Sequence, residues 1–329
     1  MDRQDYIHAS TRIRVFEKRL LKAQQLQRLV QAGDEKTFLQ YIQESDYGKD
    51  LQNVQRPEDF HRAMDANWLF NLKEVMEMSK DKEVIELLAA KYIYHNYKVL
   101  VKETILGQTL DNLILELPNM DVEMIRNRLA REDQRDLPSP IVQALADYEE
   151  TGDAQRIDLI LDRSYFQEML KKAQDLGEET FINFVRLSID FSNAKALVRL
   201  KAQGLEYEAL DDIYTPGGKI EKEAFKRLYK EEPAVIYENL GREISDSTLK
   251  KAKGLYESTG SLAAVEKLME DSLMDYIRER RWVTYGPEVL FGYLLAKERE
   301  IMNLRMIYTS LIAGIEPEKI EERLRDSYV

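Results

Sequence analysis

The chain has 329 residues, no cysteine and a net charge of −12, from 48 basic and 60 acidic residues. The absence of Cys excludes a disulfide framework, a thiolate metal site and a Cys nucleophile, and it is typical of a cytoplasmic protein. The acidic balance disfavours nucleic acid as a partner and repels anionic lipid headgroups. The N-terminus is charged throughout and no apolar run approaches the roughly 18 residues of a membrane span, so we expect neither a signal peptide nor a transmembrane segment.

The spacing of proline and apolar residues predicts an all-α protein. Apolar residues recur with helical period from the N-terminus onward, as in Ile13, Phe16 and Leu20. Strand-like alternation bounded by turn pairs is missing from the sequence. Proline is tolerated in a first helical turn and breaks a helix interior, so the prolines should mark helix ends. They are Pro57, Pro118, Pro138, Pro140, Pro216, Pro233, Pro287 and Pro317.

One pattern occurs three times along the chain: an Asn, a base two residues later, and a Gly 11 residues after the Asn. Asn and the residue four positions on share one helix face, and here that residue is apolar each time, so we expect each Asn to be at least half buried. We expect it to bond a neighbouring helix and fix its register, while three equivalent ligand contacts remain the alternative. The Gly suits the left-handed residue that ends a helix. The positions are Asn96, Lys98 and Gly107; Asn193, Lys195 and Gly204; and Asn303, Arg305 and Gly314.

A second stretch lies upstream of each Asn and starts with an apolar residue and an acid. The acid precedes the Asn by 31 residues in the first two copies and by 33 in the third. Matched features at matched spacing predict a triplicated helical unit, with a period much longer than the roughly 33 to 47 residues of common helical arrays. We expect three domains, at 1–118, 119–216 and 217–329. The third copy ends early, and we expect an N-terminal helix to complete it and close the three units into a ring.

No catalytic, cofactor or metal site is predicted. The stretches "DYGKD" and "PGGKIE" do not complete a phosphate loop, because Gln43 and Ile213 stand where its first Gly should be. The three histidines His8, His61 and His95 include no pair with the spacing of a zinc helix. Carboxylate pairs are common on the solvated faces of acidic helices and do not indicate acid–base catalysis.

Two basic stretches stand out in this acidic chain. The segment from Thr11 to Arg28 carries six bases and one acid, and we expect its helix to pair with acidic neighbours. The segment Arg278, Arg280, Arg281 and Trp282 lies where the third copy is two residues longer than the others. Arg and Trp are favoured interface anchors, so these four residues are candidate partner contacts.

The triplicated unit, together with "ASTRIRVFEKRLL", "QESDYG" and "SNAKALVRLKAQG", resembles the C subunit of bacterial and archaeal A/V-type rotary ATPases, a relative of the vacuolar ATPase d subunit. The resemblance covers essentially the whole chain. The second copy matches best, with Arg199 and Lys201 added to its Asn, Lys and Gly. The first copy keeps a second base at Lys102, whereas the third has Thr309 at that position.

The resemblance implies a non-catalytic rotor subunit with three homologous helical domains in a pseudo-threefold, funnel-like arrangement. A protein of this kind connects the central shaft to the membrane proteolipid ring and transmits torque between ATP hydrolysis or synthesis and proton or sodium transport. The resemblance also implies no cofactor, one copy per complex, a monomer when alone, and a peripheral position on the cytoplasmic face of the membrane, held by other subunits. The Asn-containing helix would brace each domain internally.

Two other functions stay open from the residues. One is a helical-repeat scaffold that binds soluble partners. The other is an all-α enzyme with a buried acidic site, which would need converging carboxylates or a bound metal.

Overall fold

The computed structural model describes most of the chain, and all structural statements concern the residues it describes. These are residues 2–52, 54–118, 120–131, 133, 135–204, 206, 210–244 and 246–328.

Helices make up the regular structure, and the described residues contain no strand, so the all-α prediction is confirmed. Short 3₁₀ helices occur at Arg3–Tyr6, Asp46–Lys49 and Asp111–Leu113. The α-helices are α1 (Ile7–Glu17), α2 (Ala23–Val30), α3 (Glu35–Ile42), α4 (Pro57–Met78), α5 (Glu83–Leu106), α6 (Val122–Ala130), α7 (Ser139–Thr151), α8 (Ala154–Leu176), α9 (Glu179–Ala202), α10 (Leu210–Ile213), α11 (Lys222–Leu228), α12 (Pro233–Glu243), α13 (Ser247–Thr259), α14 (Leu262–Arg278), α15 (Pro287–Ile312) and α16 (Pro317–Glu321).

Proline and aspartate explain where many of these helices begin. Five helices carry a proline in their first turn: α4, α7, α12, α15 and α16. The other prolines lie outside helices, so the prediction that prolines mark helix ends is confirmed. Aspartate side chains cap α3, α6, α8 and α13 by accepting hydrogen bonds from first-turn N–H groups. Each such cap supplies an acceptor for an amide that has no partner within the helix.

The chain divides into two compact units, one made of Met1–Leu88 with Glu270–Val329 and the other of Ala89–Met269. In sequence, long helix pairs recur as α4–α5, α8–α9 and α14–α15, each pair ending in an Asn-containing helix. The division into domains at 1–118, 119–216 and 217–329, with a pseudo-threefold, funnel-like arrangement, stays a prediction.

In the first unit, helix α15 is central and contacts α1, α2, α3 and α4. An aromatic cluster joins three of these helices: the Tyr308 ring lies 4.1 Å from that of Phe60 and 5.4 Å from that of Phe38, between ring centres. The N-terminal helices therefore pack against the third copy, as expected. Closure of a ring of three copies stays a prediction.

In the second unit, α8 contacts α7 and α9, and α12 contacts α9 and α13. Its core contains apolar residues spaced at helical period on α5, α6, α7 and α8. The buried members of this cluster are Tyr94, Leu100, Val101, Ile125, Leu129, Ile141, Ala144, Ile157 and Leu161.

Candidate interaction site and its structural support

The three repeated asparagines make the same pair of hydrogen bonds. In each case, Nδ2 donates to the carbonyl of a later residue, and the N–H of that same residue donates to Oδ1. Asn96 pairs in this way with Leu115 at 2.7 and 3.0 Å, Asn193 with Thr215 at 2.8 and 2.9 Å, and Asn303 with Arg325 at 2.9 and 3.1 Å. We call these three arrangements the asparagine clamps.

The Asn of each clamp is buried, with the three Asn residues 0 to 2% exposed, whereas the partners Leu115 and Arg325 are half-buried. The prediction that they would be at least half buried is confirmed. The prediction that they bond a neighbouring helix is wrong, because Leu115, Thr215 and Arg325 lie in non-helical segments that follow the Asn-containing helix. Such a segment has no helical partner for its own N–H and C=O groups, and the Asn side chain supplies both a donor and an acceptor.

The Gly of each repeat lies just after the end of the Asn-containing helix. Gly107, Gly204 and Gly314 have φ of +64°, +66° and +66°, the left-handed conformation predicted for them. A Cβ at any of the three would meet no atom within 4 Å, so backbone conformation alone favours glycine there.

Each repeat has a base two residues after its Asn. In two of the three repeats, this base forms an ion pair with the acid that lies upstream of the Asn in the next copy. Lys98 Nζ lies 2.7 Å from Asp162 Oδ1, which joins the first copy to the second. Arg305 pairs with Asp65, which joins the third copy to the first. Lys195, the matching base of the second copy, has no hydrogen-bond or ion-pair partner among the described residues and lines a cleft of about 530 Å³.

A second pairing occurs one helical turn further along. Lys102 Nζ lies 3.0 Å from Asp158 Oδ1, and Arg199 Nη2 lies 2.5 Å from Glu266 Oε1. Thr309 carries no charge at the equivalent position of the third copy. These exposed or half-exposed pairs link successive copies, and each adds only about 0–1 kcal/mol to stability.

Asp190 is a buried carboxylate three residues before Asn193. It accepts hydrogen bonds from the N–H groups of Lys219 and Ile220 at 2.9 to 3.0 Å. Burial raises the pKa of the Asp190 carboxyl to about 6, although these amide hydrogen bonds act in the opposite direction. Asp190 and Asn193 thus hold two points of the segment between α10 and α11.

Helix α15 buries four consecutive charged residues, Lys297 to Glu300. Glu300 accepts hydrogen bonds from the Leu21 N–H and from the Tyr47 hydroxyl, the latter at 2.7 Å, and its carboxylate lies 3.2 Å from Lys297 Nζ. The Lys297 ammonium also lies 4.0 Å from the centre of the Tyr47 ring. Burial raises the pKa of the Tyr47 hydroxyl well above its ordinary value. The network attaches the N-terminal segment to α15.

The C-terminal residues run along α14 and α15 and are held at successive points. Besides the Asn303 clamp, the Asp326 N–H donates to Asp271 at 3.1 Å, and Arg278 Nη1 donates to the Ser327 carbonyl at 3.1 Å. Tyr328 is buried and packs closely against Gly292 of α15. A Cβ added to Gly292 would lie only 3.3 Å from the Tyr328 hydroxyl.

The candidate partner contacts lie at and after the end of α14. The Arg278 guanidinium forms an ion pair with Asp275 and donates a hydrogen bond to the Ser327 carbonyl. Arg280 donates to the Tyr276 carbonyl and stacks on the Tyr276 ring at 3.8 Å. Arg281 stacks 4.6 Å from the Trp282 ring centre, and Trp282 is 78% exposed. The structure therefore separates two Arg residues with intramolecular partners from an exposed Arg–Trp pair.

The conformation of this loop depends on α1. Arg14 Nη2 donates to the Arg281 carbonyl at 2.6 Å and to the Val283 carbonyl at 2.8 Å. Arg14 is itself held by Glu17, with Nη1 2.8 Å from each carboxylate oxygen. The N–H of Gly286, at the end of the loop, donates to Ser10 Oγ at 3.2 Å.

The basic stretch from Thr11 to Arg28 pairs with acidic neighbours at several positions. Arg28 Nη1 lies 2.6 Å from Glu44, and the longer pairs Arg12–Glu74 and Arg19–Asp46 measure 3.4 and 3.5 Å. Arg14 differs, because its second partner is the loop backbone. The expectation of acidic neighbours is thus met for four of the six bases, with Glu17 counted as a partner of Arg14, but the bases lie on α1, on α2 and between them, and not on one helix. The role of Arg14 was not visible in the sequence.

The match to known proteins covers nearly all of these features. A family described as the ATP synthase (C/AC39) subunit matches residues 9–323. The chain belongs to the ATP synthase (C/AC39) subunit family. All three asparagine clamps begin within the matched residues, and the third ends at Arg325, just beyond them.

Similar proteins in this family come from bacteria and archaea. The C subunit of the V-type sodium ATPase of Enterococcus hirae is 24% identical, over 89% of this chain and 93% of its own. The C subunit of the A-type ATP synthase of Methanocaldococcus jannaschii is 25% identical, over 98% and 87%. That of Pyrococcus abyssi is 26% identical, over 96% and 89%.

Two further features bear on chemistry in this family member. Among the residues that the structure describes, no group of three or more His, Asp or Glu side chains is arranged to hold a metal ion. Within the same residues, no helix combines the length and the apolar character that crossing a membrane requires.

Proposed function

We propose that this chain is a non-catalytic rotor subunit of a V-type (A/V-type) ATPase or ATP synthase. In this role it connects the central shaft to the membrane proteolipid ring and transmits torque between ATP hydrolysis or synthesis and the transport of protons or sodium ions. The observation that carries the proposal is the family match over residues 9–323, together with relatives named as the C subunits of such complexes.

The asparagine clamps support a mechanical role. Each clamp uses both polar atoms of its Asn amide on one backbone residue, and the Asn side chain is buried, so the arrangement favours a structural role over ligand contact. A buried donor and acceptor satisfied in this way resist separation, because opening either bond strands a polar group away from water. The three clamps would therefore keep the segments after α5, α9 and α15 fixed while the protein carries load.

We infer that the protein lies on the cytoplasmic face of the membrane and is held there by other subunits. Its charge of −12 opposes direct adsorption to anionic headgroups. The proposal includes one copy per complex, a monomer when alone, no nucleic-acid partner and no cofactor. Arg281 and Trp282 are proposed as direct partner contacts, and Arg278 and Arg280 as the residues that shape their loop.

The proposal is tested by affinity purification of the tagged full chain from mildly solubilised native membranes, with partners identified by mass spectrometry. Co-purification of ATPase head subunits, shaft subunits and a small proteolipid is the expected result. A preparation containing only soluble partners unrelated to such a complex would contradict it and leave the helical-repeat scaffold as the better account.

A further inference from the structure

One surface of the first unit combines exposed apolar side chains with bases that lack acidic partners. It consists of the outer face of α1 and the tip of the loop after α14, and we call it the α1–loop surface. Residues 7, 11 and 15 are spaced to share one face of α1, and residue 18, its C-terminal cap, continues that face. The members of the surface are Ile7, Thr11, Val15, Lys18, Arg281 and Trp282.

The two parts of this surface are adjacent because of Arg14. Its guanidinium holds the carbonyls of residues 281 and 283, on either side of Trp282 in the chain. Arg14 precedes Val15 directly and lies one helical turn from Lys18. The backbone of Trp282 is therefore fixed beside the exposed face of α1.

The apolar side chains of the α1–loop surface are largely exposed to solvent. Ile7 is 49% exposed, Val15 50% and Trp282 78%. Exposed single apolar residues are normal, but three on one fixed surface, one of them Trp, are typical of an interaction site. Hydrogen bonds already fix the backbone of the loop that carries Trp282. Binding a partner there would therefore cost little conformational entropy of this loop.

The charges on the same surface favour an acidic partner. Among the described residues, neither Lys18 nor Arg281 has a carboxylate partner, although acids outnumber bases in the chain by 60 to 48. The Arg281 guanidinium lies over the Trp282 ring, where it stays available at its edges to a carboxylate. Opposite charges on a partner would steer its approach and fix its register.

We propose that the α1–loop surface docks an acidic helical segment of another protein, with Trp282 as the apolar anchor and Lys18 and Arg281 as the charge contacts. The face of α1 formed by Ile7, Thr11 and Val15 is spaced at intervals of four residues, and such a face packs lengthwise along a second helix. A lipid surface fits less well, because it would bring the whole molecule, at −12, against anionic headgroups. The identity of the assembly rests on the proposed function; the chemistry of the partner rests on this surface alone.

The first experiment places a photo-cross-linking residue at the anchor. Trp282 is replaced by p-benzoylphenylalanine in the full chain, in cells of its source, and cross-linked peptides are identified by mass spectrometry after irradiation. Leu106, which is 59% exposed in the second unit, is replaced in the same way as the matched control. We expect position 282 to cross-link to one helical segment rich in Asp or Glu with apolar residues between them, and Leu106 not to reach that segment.

The second experiment reverses charge on the purified assembly. The partner identified by cross-linking is then followed without cross-linking. Lys18→Glu and Arg281→Glu should each reduce the amount of this partner retained after a salt wash by at least tenfold, relative to the unmodified chain. Lys36→Glu is the control, because Lys36 is exposed in the first turn of α3, where an acid is well tolerated. All of these positions are exposed, so melting temperatures should change little, although an acid at position 18, the C-terminal cap of α1, costs about 0.3–1 kcal/mol.

The outcomes separate this inference from the proposed function. Cross-links at 282 only to lipid, to a basic segment or to no protein would overturn the inference even if ATPase components co-purify. Equal retention of the partner by Lys18→Glu, Arg281→Glu and Lys36→Glu would also overturn it. A cross-link to an acidic helix in a protein outside any rotary ATPase would support the docking chemistry and contradict the proposed function.

Discussion

Asn193 pairs with both backbone polar groups of Thr215, through a bond of 2.8 Å to the carbonyl and one of 2.9 Å from the N–H. The side-chain amide thus behaves toward this residue as a neighbouring strand would, in a chain whose described residues contain no strand. Asp could not donate to the carbonyl, and Leu could do neither. This chemistry explains why Asn stands in the middle of three helices despite its modest helix propensity.

Replacing Asn193 with Leu should lower the free energy of unfolding by about 2–4 kcal/mol, because the Thr215 N–H and C=O would be buried without partners. Thr215 is only 5% exposed, so water cannot replace the amide without local opening. The measurement is chemical denaturation followed by circular dichroism. Asn183→Ala, on the same helix, removes only bonds to Glu179 one turn away and should change stability by less than about 0.5 kcal/mol. Overlapping curves for Asn193→Leu and the unmodified protein would show that the clamp contributes nothing.

Two glycines should respond to alanine with opposite sign. Gly204→Ala should destabilise the protein by about 1–2 kcal/mol, because φ is +66° and alanine is strained there. Gly254→Ala, inside α13, should stabilise it by about 0.5–1 kcal/mol through helix propensity. Neither Cβ would meet an atom within 4 Å, so packing does not complicate the comparison. Thermal melts of both variants give the test, and shifts of the same sign would contradict it.

Much of the fold could be predicted from the sequence because its signals are local. Proline positions, helical periodicity and the left-handed glycines all depend on a few neighbouring residues, and they predicted the helix ends and the repeated helices well. The partner of each Asn could not be predicted in this way. Leu115 is 19 residues from Asn96, whereas Thr215 and Arg325 are 22 residues from Asn193 and Asn303, so no fixed spacing reveals the pairing.

The candidate site was predictable only in part for a related reason. Arg281 and Trp282 were identified by residue type, and the structure leaves both exposed. Arg14, which fixes their loop, is 267 residues away from Arg281 in sequence and looked like any other base of α1. In the sequence, Asp190 is distinguished only as an acid between two apolar residues, Ile189 and Phe191. Its hydrogen-bond donors, the N–H groups of Lys219 and Ile220, are 29 and 30 residues away, so no local pattern predicts them.

The Arg305–Asp65 pair should show measurable coupling. A double-mutant cycle with Arg305→Ala and Asp65→Ala should give about 0.5–1 kcal/mol at low salt, since both side chains are about one third exposed. Coupling should fall at about 1 M salt through screening. In the Arg12–Glu74 pair the Arg side chain is more exposed, and 3.4 Å separates Arg12 Nη2 from Glu74 Oε2. The double-mutant cycle for this pair should give a coupling energy near zero. Equal coupling in the two cycles would mean that Arg305 has no special role between copies.

Glu300→Ala should be strongly destabilising, by about 3–5 kcal/mol, because it leaves the buried Lys297 ammonium without its carboxylate. The Leu21 N–H and the Tyr47 hydroxyl would lose their acceptor as well. Combining Glu300→Leu with Lys297→Met removes both charges and should recover part of the loss. Hydrogen exchange at the Leu21 amide reports the local effect. If that amide stays as protected as in the unmodified protein, the carboxylate does not hold the N-terminal segment.

Asp190 should make stability fall as pH rises from about 4 to 7. Its folded-state pKa of about 6 lies above the ordinary value of 3.8, so the folded protein binds the proton more tightly than the unfolded chain does. The resulting stabilisation is complete below the unfolded pKa and is lost as pH rises through 6; a difference of roughly two pKa units corresponds to about 3 kcal/mol.

Other carboxylates change stability with pH in the opposite direction, so the measurement must isolate Asp190. Unfolding free energies of the unmodified protein and of Asp190→Asn are measured by denaturant titration at each pH, and one is subtracted from the other. Groups common to both proteins cancel, and the advantage of the unmodified protein should shrink by about 3 kcal/mol between about pH 4 and 7. A difference that does not vary with pH would mean that the amides of Lys219 and Ile220 fully offset the cost of burying the charge.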